Sequence, residues 1–156
     1  MLDPDRPRQP AEPDGMPVYR RLTLADMPAL AALQCAYKAA IEEAPPTGPD
    51  FERLSWAIKE GHILFYGALA EEKLVATCSV SLGFSTFDYQ TSGVFEDFYV
   101  SPPWRGRGVA RRLAAFARTD SGVSTLTVGC ADCDRAMYEA LGFRTCLGHL
   151  LAWKDA

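Results

Sequence analysis

Beyond Met16 the apolar residues fall into runs whose spacing changes along the chain. Val18 to Leu22 reads as a short strand. Leu30, Leu33, Tyr37 and Ile41 then recur at helical spacing. Ahead of them stand Asp26, a capping residue type, and Pro28, which a first helical turn tolerates. Pro45-Pro46 and Gly48-Pro49 end that helix. A second is predicted after Asp50, with Phe51, Leu54 and Ile58 on one face and Gly61 as its stop.

The period then changes to two. Ile63 to Ala70 and Lys73 to Leu82 are apolar, β-branched and aromatic runs joined by a polar turn at Glu71 and Glu72, which predicts a strand hairpin. Phe84 to Ser92 reads as a loop rich in aromatics and hydroxyls, and Val94 to Ser101 as a strand ended by Pro102-Pro103. A helix with Val109, Leu113 and Phe116 on one side runs to about Asp120. Thr125 to Cys130 is the next strand. Asp132 or Asp134 caps a helix through Leu141, closed by Gly142, and Thr145 to Trp153 is a final strand. The order β-α-α-β-β-β-α-β-α-β predicts an α/β sheet with helices on both faces.

A 156-residue chain can bury a single core without staples, and 48% hydrophobic with 23% charged residues is ordinary for a soluble domain. No apolar run approaches the roughly 18 residues of a membrane span. Met1 to Met16 holds prolines and charges but no apolar stretch, so it reads as a flexible tail rather than a secretory signal, with residues 17–156 as one domain. The net charge of −4 argues against a nucleic-acid partner. Five cysteines at irregular spacing fit reduced thiols in a cytoplasmic protein. Cys130-Ala131-Asp132-Cys133 lacks the second ligand pair of a zinc site, so no metal is expected, and buried thiols are the simpler account.

The chemistry concentrates in Arg105-Gly106-Arg107-Gly108-Val109-Ala110, between a strand and a helix. The first amides of a helix lack internal partners and carry partial positive charge, so they can hold an anion. Gly106 and Gly108 let the backbone turn sharply, and no side-chain cap competes for those amides. Arg105 and Arg107 can add charge-assisted contacts. A P-loop would need Gly-Lys-Ser/Thr, which is absent. The dinucleotide pattern would need a small residue where Arg111 stands.

Three segments together resemble the GNAT family of N-acetyltransferases: Val94 to Val100, the Arg105–Ala110 turn, and Met137 to Phe143. The resemblance runs from about Val18 to Trp153. It implies a mixed, mostly antiparallel central sheet of about six or seven strands flanked by helices on both faces. It also implies acetyl-CoA as co-substrate and a primary amine, small molecule or peptide, as acceptor. A homodimer is compatible with it.

In such a protein Arg105, Gly106, Arg107, Gly108, Val109 and Ala110 would cradle the CoA pyrophosphate. The backbone of Phe98, Tyr99 and Val100 would pair with the pantetheine arm, which the Thr125–Cys130 strand would splay away to admit. A strand amide near Phe98 or Tyr99 would polarise the thioester carbonyl. Tyr138 matches the family tyrosine that protonates the departing thiolate. The family's usual Asn seven positions earlier is Ala131 here, which removes that contact to the cofactor arm.

Glu96 is the candidate base, read as sharing a strand face with Phe98 and Val100 while Asp97 points to the other. An ordinary strand carboxylate in a polar network is the competing reading of Glu96. Acceptor specificity would lie in Glu42 to Asp50, where Glu42 and Glu43 could meet a cation, and in Phe84 to Ser92. A non-catalytic CoA-binding module and a transferase of another acyl-CoA are the alternatives.

Overall fold

The computed structural model describes residues 15–154. The tail expected over residues 1–16 therefore lies outside the described residues, except for Gly15 and Met16, which are exposed. Five strands form one sheet in sequential order: β1 (Val18–Arg21), β2 (Ile63–Ala70), β3 (Lys73–Ser85), β4 (Gln90–Val100) and β5 (Leu126–Thr127). The first three pairings are antiparallel and β4 with β5 is parallel, so the sheet is mixed and mostly antiparallel, as expected. Four helices complete the fold: α1 (Met27–Ala40), α2 (Gly48–Lys59), α3 (Val109–Ser121) and α4 (Arg135–Leu141).

The alternation of side chains along the central strands explains the two helical layers. Tyr66 and Ala68 of β2, with Ala76, Cys78 and Val80 of β3, face α3 through Val109, Leu113, Ala114 and Ala117. Phe65 on the other face of β2 packs with Leu22, Leu30, Leu33 and Leu74, and Leu54 and Ile58 of α2 lie against that cluster. Ile41, at helical spacing with Leu30, Leu33 and Tyr37 in the sequence, sits at the C-cap of α1 and is exposed. Arg21 Nε donates to Asp120 Oδ2 at 2.9 Å and fastens the end of α3 to β1.

Four expectations differ from the structure. Phe84 to Ser92 is irregular only at the turn 86–89: β3 runs to Ser85 and β4 starts at Gln90, so the segment is the tip of a long hairpin, with Phe84, Phe87 and Tyr89 exposed on it. Aromatic and hydroxyl β-branched residues suit a pleated, half-exposed ribbon. Residues 145–153 form no strand, and the sheet has five strands rather than about six or seven. Gly148 at φ +106° interrupts any extended run there, and the two-residue β5 offers a short edge. Leu147, Leu150, Leu151 and Trp153 are consequently exposed. Cys130 and Cys133 are exposed too, instead of buried.

Candidate active site

α3 starts without a side-chain cap, at Gly108 with φ +77°. The first ladder bond runs from Arg112 N to Gly108 O at 3.2 Å, so the amides of Gly108 through Arg111 precede the helical ladder. A Cβ added at Gly106 or Gly108 would meet nothing within 4 Å, so the turn stands open around both. Gly108 is glycine for its left-handed backbone, not for lack of space. Arg105 Nε donates to Val100 O at 2.8 Å, and its guanidinium carbon stands 5.6 Å from the centre of the Tyr99 ring. That side chain ties the turn to the end of β4. Arg107 lies over Trp104 at 5.4 Å. Val109 is buried as the first core residue of α3, and Ala110 is half-buried beside it.

The neighbouring strands β4 and β5 part early. β5 pairs with β4 only through Gly93 with Leu126 and Val94 with Thr127. Gly93 permits that approach, because a Cβ there would lie 2.6 Å from Val80 and 3.2 Å from Leu126. Beyond Val94 the ladder stops, and among the described residues no strand pairs with the β5-facing edge of β4 at Phe98, Tyr99 and Val100, where Val100 O accepts from Arg105 Nε.

On the opposite edge β3 and β4 fall out of step. Ser79 pairs with Glu96 and Thr77 with Tyr99, so Asp97 and Phe98 together oppose Cys78. This is a β-bulge, and Asp97 adopts φ +52° within it. The extra residue reverses the expected facing of the side chains. Phe98 and Val100 join Phe95 on the α3 side. Glu96 shares a face with Asp97 and not with Phe98 and Val100: Ser81 Oγ donates to Glu96 Oε2 and Ser79 Oγ to Asp97 Oδ2, each at 3.0 Å. Strict alternation from the sequence could not register one inserted residue.

The bulge thus brings Asp97, expected on the opposite face of the strand, to the same side as Glu96. Burial pushes its carboxyl above the usual range, and the adjacent Glu96 charge adds to this, while the Ser79 hydroxyl and Lys38 oppose it. Tyr37 of α1 faces the same region, its ring 6.1 Å from Tyr99, and burial raises its phenol as well. The only sequence signal for Asp97 was a second acid next to Glu96.

Tyr138 lies half-buried on α4, against the α3-side core and edge-to-face with Phe143 at 6.0 Å. Burial raises its phenol, and the nearby Tyr37, Asp134 and Cys130 push in the same direction. Tyr138 is therefore a protonated donor across the neutral range. Glu43 is already engaged, accepting from Lys38 Nζ at 2.6 Å, while Glu42 is exposed at φ +57°. Among the described residues no cluster of three His, Cys, Asp or Glu could hold a metal, and no helix is long and apolar enough to cross a membrane.

Residues 61–145 match the family model of an acetyltransferase (GNAT) domain. A comparison with curated proteins gives no sequence match. Solved structures give many. An aminoglycoside acetyltransferase from an uncultured soil metagenomic sample superposes with a TM-score of 0.77 at 18% identity, over 90% of this chain and 97% of that one. Glucosamine-6-phosphate N-acetyltransferase from Arabidopsis thaliana gives 0.69 at 18%, over 90% and 100%. A predicted acetyltransferase from Clostridium acetobutylicum, solved with acetyl-CoA, gives 0.67 at 17%, over 88% and 96%. At these identities the likeness is one of fold.

Proposed function

The chain belongs to the GNAT acetyltransferase family, and from that premise we propose that it moves an acetyl group from acetyl-CoA to a primary amine by direct attack in a ternary complex. The observation that carries this reading is the uncapped start of α3 at Gly108, reached through a 3-10 turn (Pro102–Trp104) from a strand whose edge β5 abandons after Val94. An anion suits the first feature and an extended amide-bearing arm suits the second. Acetyl-CoA has both, and the fold relative solved with acetyl-CoA supports the choice.

Arg105 through Ala110 bind the pyrophosphate: the amides of Gly108, Val109 and Ala110 supply fixed donors, and Arg105 and Arg107 supply charge. The backbone of Phe98, Tyr99 and Val100 binds the pantetheine arm. The bulge places Phe98 outside the β3 ladder register, so its amide serves as a donor to the thioester oxygen.

The acceptor amine, with an ordinary pKa of about 10, must shed a proton before it attacks. Glu96 and Asp97 receive the cation as a pair. Asp97 takes the proton because its raised pKa brings it closer to neutrality, and Glu96 supplies the charge that holds it raised. Tyr138 donates the proton that the departing thiolate needs. Aminoglycoside and glucosamine-6-phosphate acetyltransferases of the same fold support a small amine as acceptor.

Two measurements test the reading. Calorimetry with acetyl-CoA should give saturable one-site binding. Single-turnover release of free thiol should accelerate with at least one member of an amine panel. CoA binding without acceleration by any amine, unchanged in Tyr138→Phe, would overturn the catalytic assignment.

A further inference from the structure

Between α1 and α2 lies a groove of about 530 Å³ whose walls include Pro45, Pro46, Phe51 and Leu54. Its α1 wall also reaches β4, the strand of the carboxylate pair: Tyr37, one residue before the groove-lining Lys38, lies 6.1 Å from Tyr99. Its charges are spoken for. Asp50, the one acid in its lining, accepts from the Thr47 amide and hydroxyl and from Arg53. Lys38 Nζ is held by Glu43 at 2.6 Å.

Gln34 of α1 lines the same groove and differs from every other residue in it. It is only 6% exposed, and its side-chain nitrogen is buried with no hydrogen-bond partner among the described residues. Buried amide nitrogens are almost always satisfied, because two N–H donors withdrawn from water need acceptors. An oxygen carried by a ligand into this largely apolar groove would satisfy it.

We propose that Gln34 is the specificity-determining contact for the acceptor. It donates to a neutral hydroxyl or carbonyl oxygen carried on an apolar body, while the acceptor's amine meets Glu96 and Asp97. The substrate class is then a monoamine with one such oxygen, not a polycation. A polycation would require carboxylates along the groove, and Asp50, the one acid in its lining, already accepts from Thr47 and Arg53. This inference rests on the acetyltransferase reading and narrows its substrate. A site built to bond a substrate oxygen discriminates sharply against analogues that lack it.

The test uses the full chain saturated with CoA, CoA binding having been measured first by calorimetry. Three matched pairs of amines carry the comparison: ethanolamine with propylamine, tyramine with phenethylamine, and leucinamide with isoamylamine. The Gln34 side-chain ¹⁵N–¹H signals are identified by their loss in Gln34→Met.

In at least one pair the oxygen-bearing amine should shift those signals and bind about tenfold more tightly than its partner. Gln34→Met and Gln34→Glu should bring that ratio close to one. Spermidine should leave the signals in place. The proposal is overturned if no pair shows a preference, if the preference survives in both variants, or if spermidine occupies the groove. Loss of CoA binding itself would instead overturn the acetyltransferase reading.

Discussion

Ser79 Oγ donates to Asp97 Oδ2 at 3.0 Å across the point where β3 and β4 fall out of register. The bond holds a half-buried carboxyl in a left-handed backbone, beside an exposed Glu96. Asp97→Asn keeps the shape and removes the proton acceptor. Turnover should fall by about 10²–10⁴-fold, with acetyl-CoA affinity unchanged by calorimetry. A variant with wild-type turnover would exclude Asp97 as base.

Glu96→Gln should act differently from Asp97→Asn. The Glu96 charge raises the Asp97 pKa, so its removal lets that pKa fall toward the ordinary carboxylate value. The acid limb of the pH–rate profile should therefore move to lower pH, with a smaller loss of turnover at neutral pH. A limb that stays in place would dissociate the two acids.

Tyr138→Phe removes one hydroxyl from a half-buried ring that Phe143 already braces. Turnover should drop by about 10²-fold while CoA binds as before. Because burial raises the phenol, the alkaline limb assigned to it should lie above the usual tyrosine value of about 10. An unchanged rate in the variant would leave Tyr138 a packing residue.

Much of this arrangement was legible in the residues. The uncapped glycine turn before α3 was readable because its determinants are local: glycines between a strand and a helix with no capping side chain. The hairpin of β2 and β3 was readable because alternation over Leu74 to Leu82 is local too. The facing of Glu96 and Asp97 was not. It depends on two residues of β4 opposing Cys78 of β3, a pairing between strands that no single-strand period encodes. The segment after Thr145 misled for a related reason. Its apolar residues have strand character, but a strand exists only where another edge receives it, and the two-residue β5 gives little edge. Gln34 went unnoticed because one polar residue among apolar neighbours on α1 looks like surface until the α1–α2 groove is seen.

Gly108 offers a separation of folding from binding. Its φ of +77° costs a non-glycine residue about 1–2 kcal/mol, yet its Cβ would touch nothing. Asn tolerates this backbone better than most residues, so Gly108→Asn should stay folded and retain measurable CoA binding. Gly108→Asp is nearly the same shape with a negative charge facing the pyrophosphate position. Its CoA affinity should be lost while its melting temperature matches that of Gly108→Asn. Equal CoA affinity in the two variants would remove the anion site from the start of α3.

Asp26 carries the clearest pH signature for stability. Arg20 bonds it through both guanidinium nitrogens at 2.8 Å, and this hydrogen-bonded pairing, helped by the Thr23 amide, lowers its pKa from 3.8 to about 2. A depressed carboxyl stabilises the fold above its unfolded pKa, and the contribution is lost as pH falls through the folded value. The window is therefore about pH 4 down to about pH 2. A shift of that size corresponds to roughly 2 kcal/mol at full strength, and solvent at the 42% exposed Arg20 side chain reduces it to about 1 kcal/mol. Asp26→Asn should cost about that much at neutral pH and nothing comparable near pH 2. Denaturant unfolding at a series of pH values gives the comparison. Parallel stability curves for the two proteins through this window would show that the ion pair is energetically idle and that Asp26 serves only the turn before α1.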